Sequence, residues 1–219
     1  RYPRYYNTPN QEMLCKKIAA LENTEDAMIF SSGMAAISSA MLAFLKRGDH
    51  VVIQQVIYGG TYNFIVSEFD KYGIEYSFTE SDIASDFVPL IKENTKIFYI
   101  ETPSNPLLGI TDMKAIADVA KERKILTMID NTFASPINQN PYNFGIDIII
   151  HSATKYMGGH SDISAGAVAA SQEHIEQIWK TAINLGGNLS DQTVWLLERS
   201  LKTLNLRVKE QTKNAHIMA

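Results

Sequence analysis

Six short, almost unbroken apolar runs punctuate the chain, at residues 27–30, 51–53, 96–100, 125–129, 148–150 and 165–169. Runs this apolar at every position have no face to offer water, so they read as strands buried on both sides. Between them lie stretches of helical periodicity, at 34–45, 61–72 and 112–124, the last opening on Thr111-Asp112 as a plausible cap. Strand alternating with helix predicts an α/β fold, a three-layer α-β-α sandwich whose mostly parallel sheet is covered on both faces. Beyond the last run, 172–185 and 191–219 read as longer amphipathic helices joined at Gly186-Gly187-Asn188. Gly48-Asp49, Tyr72-Gly73 and Asn140-Pro141 mark turns between elements.

At 219 residues and 45% hydrophobic content, one well-filled domain, with room for a piece of another, is the expectation. The net charge is -4 and the basic residues are scattered, so no stripe is available to neutralise a phosphate backbone, and nucleic acid is not expected as a partner. No apolar run approaches the roughly 18 residues of a membrane span. The single Cys15 cannot form an internal disulfide. A reducing, soluble, cytoplasmic setting is expected. The chain opens on Arg1 and stops at Ala219 inside a helical pattern without a stop signal, so both ends are expected to be cut.

In an open parallel sheet, ligands gather where the carboxyl ends of the strands meet the N-termini of the following helices. Four segments qualify: 31–34, 101–105, 130–132 and 151–155. Ser31-Ser32-Gly33 is either an ordinary Ser cap with a Gly turn or a phosphate site built on backbone N–H groups and the helix dipole. It lacks the endings that mark ATP or dinucleotide loops. Asp130 ends an apolar strand, where a carboxylate needs a cationic or hydrogen-bonding partner. A protonated pyridine nitrogen would serve, and so would the turn through Asn131 and Thr132. Tyr58, before Gly59-Gly60, can stack on an aromatic ring or simply pack in core or interface.

Lys155 is the most informative residue. Most lysines are solvated surface charges, but this one follows a buried strand, Ser152 and Thr154, and precedes Tyr156-Met157-Gly158-Gly159-His160. In a closed pocket, desolvation disfavours the protonated amine, and a less protonated amine can form a Schiff base with an aldehyde. The histidines, including His151 and His160, lack ligand spacing with Cys or carboxylates, and no metal site is expected.

The stretch 147–161, DIIIHSATKYMGGHS, resembles along its whole length the cofactor-lysine signature of the transsulfuration, or Cys/Met-metabolism, enzymes dependent on pyridoxal 5'-phosphate. Segments 31–36, 58–61, 101–106, 130–132 and 201–207 are similar to further motifs of that family, in the same order, so the resemblance covers essentially the whole chain. It implies the large domain of the aspartate aminotransferase-like fold, fold type I, over 11–205. Residues 1–10 would be an arm contacting a neighbouring subunit, and 206–219 would start a linker helix toward a smaller C-terminal domain expected beyond Ala219.

Position by position, the resemblance implies that Lys155 binds the cofactor covalently and later moves protons between substrate carbons. Asp130 would keep the pyridine nitrogen protonated, Tyr58 would stack on the ring or act as acid or base, and Asn105 would hydrogen-bond the ring hydroxyl. Gly33, Met34, Ser152 and Thr154 would hold the phosphate, with Ser32 and Thr132 nearby. Tyr2 and Arg4 look like a pair that reaches the neighbouring subunit's phosphate, which implies a homodimer or homotetramer. In this chain Asn7-Thr8-Pro9 stands where the family commonly has Asn-Pro-Thr, and no residue matches the arginine that binds the substrate carboxylate.

The reaction implied is carbon–sulfur lyase or synthase chemistry on cystathionine or homoserine-derived amino acids. O-acetylhomoserine sulfhydrylase is the runner-up, because 58–63 resembles that group, and methionine gamma-lyase is demoted because Gly60 replaces its typical cysteine. A catalytically silent cofactor-binding fragment is a separate reading, motivated by the missing arginine. An aminotransferase on a similar sheet is a third, and the extended lysine signature argues against it.

Overall fold

The computed structural model describes all 219 residues. In chain order the elements are α1 (Pro9–Glu22), β1 (Asp26–Phe30), α2 (Gly33–Phe44), β2 (His50–Ile53), α3 (Gly59–Tyr72), β3 (Glu75–Phe78), β4 (Thr95–Glu101), α4 (Met113–Arg123), β5 (Leu126–Asp130), α5 (Ser135–Asn138), β6 (Ile148–His151), β7 (Gly166–Ala170), α6 (Gln172–Leu185), α7 (Asp191–Leu201) and α8 (Leu204–Met218). The strands form one sheet in the order β1-β7-β6-β5-β4-β2-β3. All neighbours pair in parallel except β7, which runs antiparallel to both β1 and β6. Six strands therefore point one way and share one carboxyl edge.

Alternation along the strands splits the core into two layers. Ile29, Val52, Phe98, Ile100, Ile129 and Ile149 face one side, with Leu14 and Ile18 of α1, Ile116 of α4, Leu197 of α7 and Leu204 of α8. Met28, Phe30, Val51, Ile53, Tyr99 and Ile148 face the other, with Ile37 and Met41 of α2, Ile65 and Phe69 of α3, and Ile178 of α6. The sandwich predicted from the alternation is the observed fold.

The six apolar runs all become strands. The structure adds β3, which the apolar criterion passes over because Glu75, Tyr76, Ser77 and Phe78 sit on the sheet edge with no position buried. It also adds α1, at whose start the Thr8 amide donates to Gln11 Oε1 at 3.1 Å. The single helix expected over 191–219 is two helices. α7 ends at Leu201, and Thr203, at φ -109° and ψ 0°, redirects the chain before α8. Asp112 caps α4 as expected, accepting from the Ala115 amide.

Candidate active site

The carboxyl edge of the sheet opens into a cavity of about 280 Å³, just below the usual range for small-molecule sites, about 300–1,000 Å³. Five loops meet there. After β1, Ser32 caps α2 by accepting from the Ala35 amide at 3.0 Å, and Gly33 and Met34 start the helix at the cavity wall. The cap and phosphate-site readings are thus compatible: the capping oxygen uses one orphan N–H and leaves others of the first turn facing the space. Gly33 meets the loop after β6 so closely that a Cβ on it would lie 2.8 Å from Ser152 Cβ.

That β6 loop brings Ser152, Thr154 and Lys155 to the cavity. Thr154 is pinned to the start of β7, its amide and hydroxyl both donating to the Ala165 carbonyl. Lys155 is exposed, so the closed surroundings expected for it are not supplied by these elements. The reason is local: the segment from Thr154 to Ile163 also borders a second, wider opening shared with Gln211 of α8.

Next along the edge, Asp130 ends β5 buried, and accepts from the Thr132 amide at 3.0 Å. It caps its own turn and lines the cavity at once, so the turn does not exclude a part in binding a ligand there. Burial pushes its carboxyl above the ordinary range, against the pull of the Thr132 hydrogen bonds and the nearby His151. Thr132 in turn accepts from the Ser152 amide at 2.8 Å, tying the β5 and β6 loops together.

Glu101, paired with Asp130 across β4 and β5, is the residue that sequence pattern did not single out. Its buried carboxylate accepts from the Tyr58 amide at 2.7 Å and the Asn105 amide at 2.9 Å, fixing two of the expected site residues through their backbones. Burial first and the charge of Asp130 second raise its carboxyl to about 7. A glutamate ending an apolar strand beside another strand that ends in aspartate was the available signal, identical in kind to the one that singled out Asp130. Tyr58 is 46% exposed at the mouth of the cavity, not in the core, and its ring lies against Gly60, where a Cβ would come within 2.5 Å of Cε1. Ile37 and Phe133 complete the apolar wall.

The cavity therefore gathers Ser32, Gly33, Met34, Tyr58, Asn105, Asp130, Thr132, Ser152, Thr154 and Lys155. Tyr2 and Arg4 stay outside it. Tyr2 is exposed, and Arg4 donates to the Ile183 carbonyl at 2.7 Å and stacks over the Tyr5 ring. Sheet order gives the site two poles: helix amides, hydroxyls and an amine along β1 and β6, and two buried carboxyl groups along β5 and β4. A molecule with a phosphate at one end, a protonatable ring nitrogen at the other and an aldehyde within reach of an amine fits this polarity.

Known proteins place the chain in the same context. Cystathionine beta-lyase MetC of Bacillus subtilis is 44% identical over 213 residues, covering 97% of this chain and 54% of that protein. Cystathionine gamma-lyase of the same organism is also 44% identical, over 219 residues, covering all of this chain and 57% of that protein. The crystal structure of metB from Corynebacterium glutamicum superposes with a TM-score of 0.90 at 38% identity, over 94% of this chain and 54% of that one. The chain thus spans about half the length of the relatives it matches. The family described as Cys/Met metabolism PLP-dependent enzyme matches residues 1–219 from end to end, and with a fold and a bipolar cavity suited to that cofactor, this chain belongs to it.

Proposed function

We propose that the protein carrying this chain is a pyridoxal phosphate-dependent carbon–sulfur lyase or gamma-replacement enzyme acting on cystathionine or homoserine-derived amino acids. The observation that carries this reading is the meeting of Lys155, an anion-binding helix start and a buried carboxyl pair in one cavity. Pyridoxal phosphate, when bound, supplies an electron sink that stabilises negative charge at the substrate's alpha carbon. The chain's residues hold and serve it. Amides of Gly33 and Met34 with the Ser152 and Thr154 hydroxyls bind the phosphate, Ser32 and Thr132 standing beside them. The Asp130 carboxylate would keep a proton on the ring nitrogen, the Asn105 side chain would hydrogen-bond the ring hydroxyl, and Tyr58 would stack on the ring. Lys155 Nζ would carry the cofactor and afterwards move protons between substrate carbons.

No arginine lines the cavity. In this reading Tyr2 and Arg4, both outside their own cavity, would serve a neighbouring subunit's phosphate in a homodimer or homotetramer. Relatives named as cystathionine lyases stand beside one named cystathionine gamma-synthase/O-acetylhomoserine (thiol)-lyase at 40% identity, so the choice between elimination and replacement rests on assay. Keto acid release from cystathionine, measured against replacement of O-acyl homoserine by sulfide or cysteine, separates the two, and turnover of neither refutes both.

The covalent step has its own test. Borohydride treatment of the protein soaked in pyridoxal phosphate is expected to label the peptide spanning 151–160, and Lys155→Ala is expected to lose that label. A Lys155→Ala protein labelled on the same peptide would overturn the assignment.

A further inference from the structure

Glu22 is the last residue of α1, on the far side of the sheet from α2 and α3, and no part of it lines the cavity. Its side chain is wholly buried. One carboxylate oxygen accepts twice, from His151 Nε2 at 2.5 Å and from Asn131 Nδ2 at 3.0 Å, and the other is buried without a partner. These two donors are not scattered. His151 ends β6 directly before Ser152, and Asn131 lies between Asp130 and Thr132.

Together the bonds close a ring around the base of the site. His151 leads by the chain to Ser152, whose amide donates to Thr132 Oγ1; the Thr132 amide donates to Asp130; Asp130 leads by the chain to Asn131, which returns to Glu22. Asn131 also accepts from Gln139 Nε2 at 2.8 Å, and that same nitrogen donates to the Thr102 carbonyl, so the β4 loop is attached as well.

We propose that the buried Glu22–His151 pair is a positioning device for the cofactor site, setting the spacing between Asp130 on one strand end and Ser152–Lys155 beyond the next. The inference rests on the reading of that cavity as a pyridoxal phosphate site. Stability alone is a poor reason for such a pair: desolvation offsets most of its attraction, and apolar replacements of similar volume are often neutral or better. What a buried hydrogen-bonded charge supplies beyond that is geometry, and both arms of this one end one residue from cavity-lining groups. His151 also acts on Asp130 through space, lowering a carboxyl that burial raises. The other groups facing Asp130 are Glu101 and Tyr99 from β4 and Thr132 from its own loop.

The test uses the complete protein and two variants. Glu22→Gln keeps the volume and an acceptor oxygen and removes the charge, while Asn131→Ala leaves the His151 arm in place and cuts the Asn131 arm together with that residue's bonds to Gln139. Amide hydrogen exchange without pyridoxal phosphate is compared at three peptides, spanning 130–133, 151–155 and, as an internal reference, 50–53 in β2. We expect exchange at the first two to rise about tenfold with the reference unchanged, in both variants. In the cofactor-loaded protein, Glu22→Gln is expected to shift the pH midpoint of the bound cofactor's absorbance, because the charge balance around Asp130 changes. A uniform rise in all three peptides, the mark of a merely structural pair, overturns the proposal, and so does no rise at all. Should the unaltered protein take up no pyridoxal phosphate, the functional reading fails, while the exchange comparison still decides whether the pair positions the two loops.

Discussion

Gly33 has no side chain because Ser152 occupies the space one would need, with Cβ, Cα and Oγ all within 3.0 Å of the missing atom. Relief would require moving the backbone of the β6 loop, not merely rotating a side chain. Gly33→Ala is therefore expected to weaken pyridoxal phosphate binding by about tenfold or more, roughly the loss of one good hydrogen bond to a charged group, measured by titration of the cofactor's absorbance. Glu101 gives a pH signature. Its folded carboxyl, raised to about 7 by burial and by Asp130, exceeds the unfolded value of about 4.3. The native state thus holds the proton more tightly, so this contribution is complete below about pH 4.3 and is lost as pH rises through about 7. Asp130, raised by burial, adds to the same slope. Without cofactor, stability should fall over that window in denaturant titrations, and Glu101→Gln should flatten the fall. At this scale the sequence singled out Asp130 but not Glu101, although both end apolar strands; what no local pattern contains is that the two stand side by side, because pairing across β4 and β5 is a register.

Among the elements, α8 holds the segment that comes after Lys155. The Arg207 guanidinium donates to the carbonyls of Tyr156 at 2.8 Å and Met157 at 3.4 Å, and to Ser200 at the end of α7 at 3.0 Å. Burial lowers its proton affinity from the ordinary value, as expected for a cation satisfied by neutral carbonyls and the Thr203 hydroxyl. Hydrogen bonds to a charged group contribute about 1.5–3 kcal/mol each, so Arg207→Ala should free the 155–159 segment. Limited proteolysis is expected to cut there faster, and Arg207→Lys should restore little, since an ammonium cannot span three carbonyls in a fork. The lysine segment itself was legible in the sequence. Its tether was not, because Arg207 acts across 50 residues through a helix break that the amphipathic pattern over 191–219 conceals.

For the molecule as a whole, the cavity exists only where two halves of the sheet meet: β1 and β6 bring its helix-start amides, hydroxyls and amine, β5 and β4 its carboxyl groups. A ligand that bridges them stabilises the assembled sheet and not the unfolded chain. Pyridoxal phosphate at a hundred times its dissociation constant is expected to add about 2.7 kcal/mol to unfolding. Thermal scans of the protein with and without it check this, and Lys155→Ala should lose most of the gain. An equal shift in that variant would place the binding energy in the phosphate pole alone.

Local pattern was enough to define the strands buried on both faces, the helices between them, the sandwich they build and the segment around Lys155. Each of these is a property of neighbouring residues, set by whether a stretch has a polar face and by the turn or cap residues that bound it. Tertiary structure alone decided that β7 runs against its neighbours, that Glu101 stands beside Asp130, that Lys155 is exposed and that Glu22 meets His151 across 129 positions. Those facts depend on strand order and on which helix covers which face, and long-range pairing is settled by the packing of the whole core.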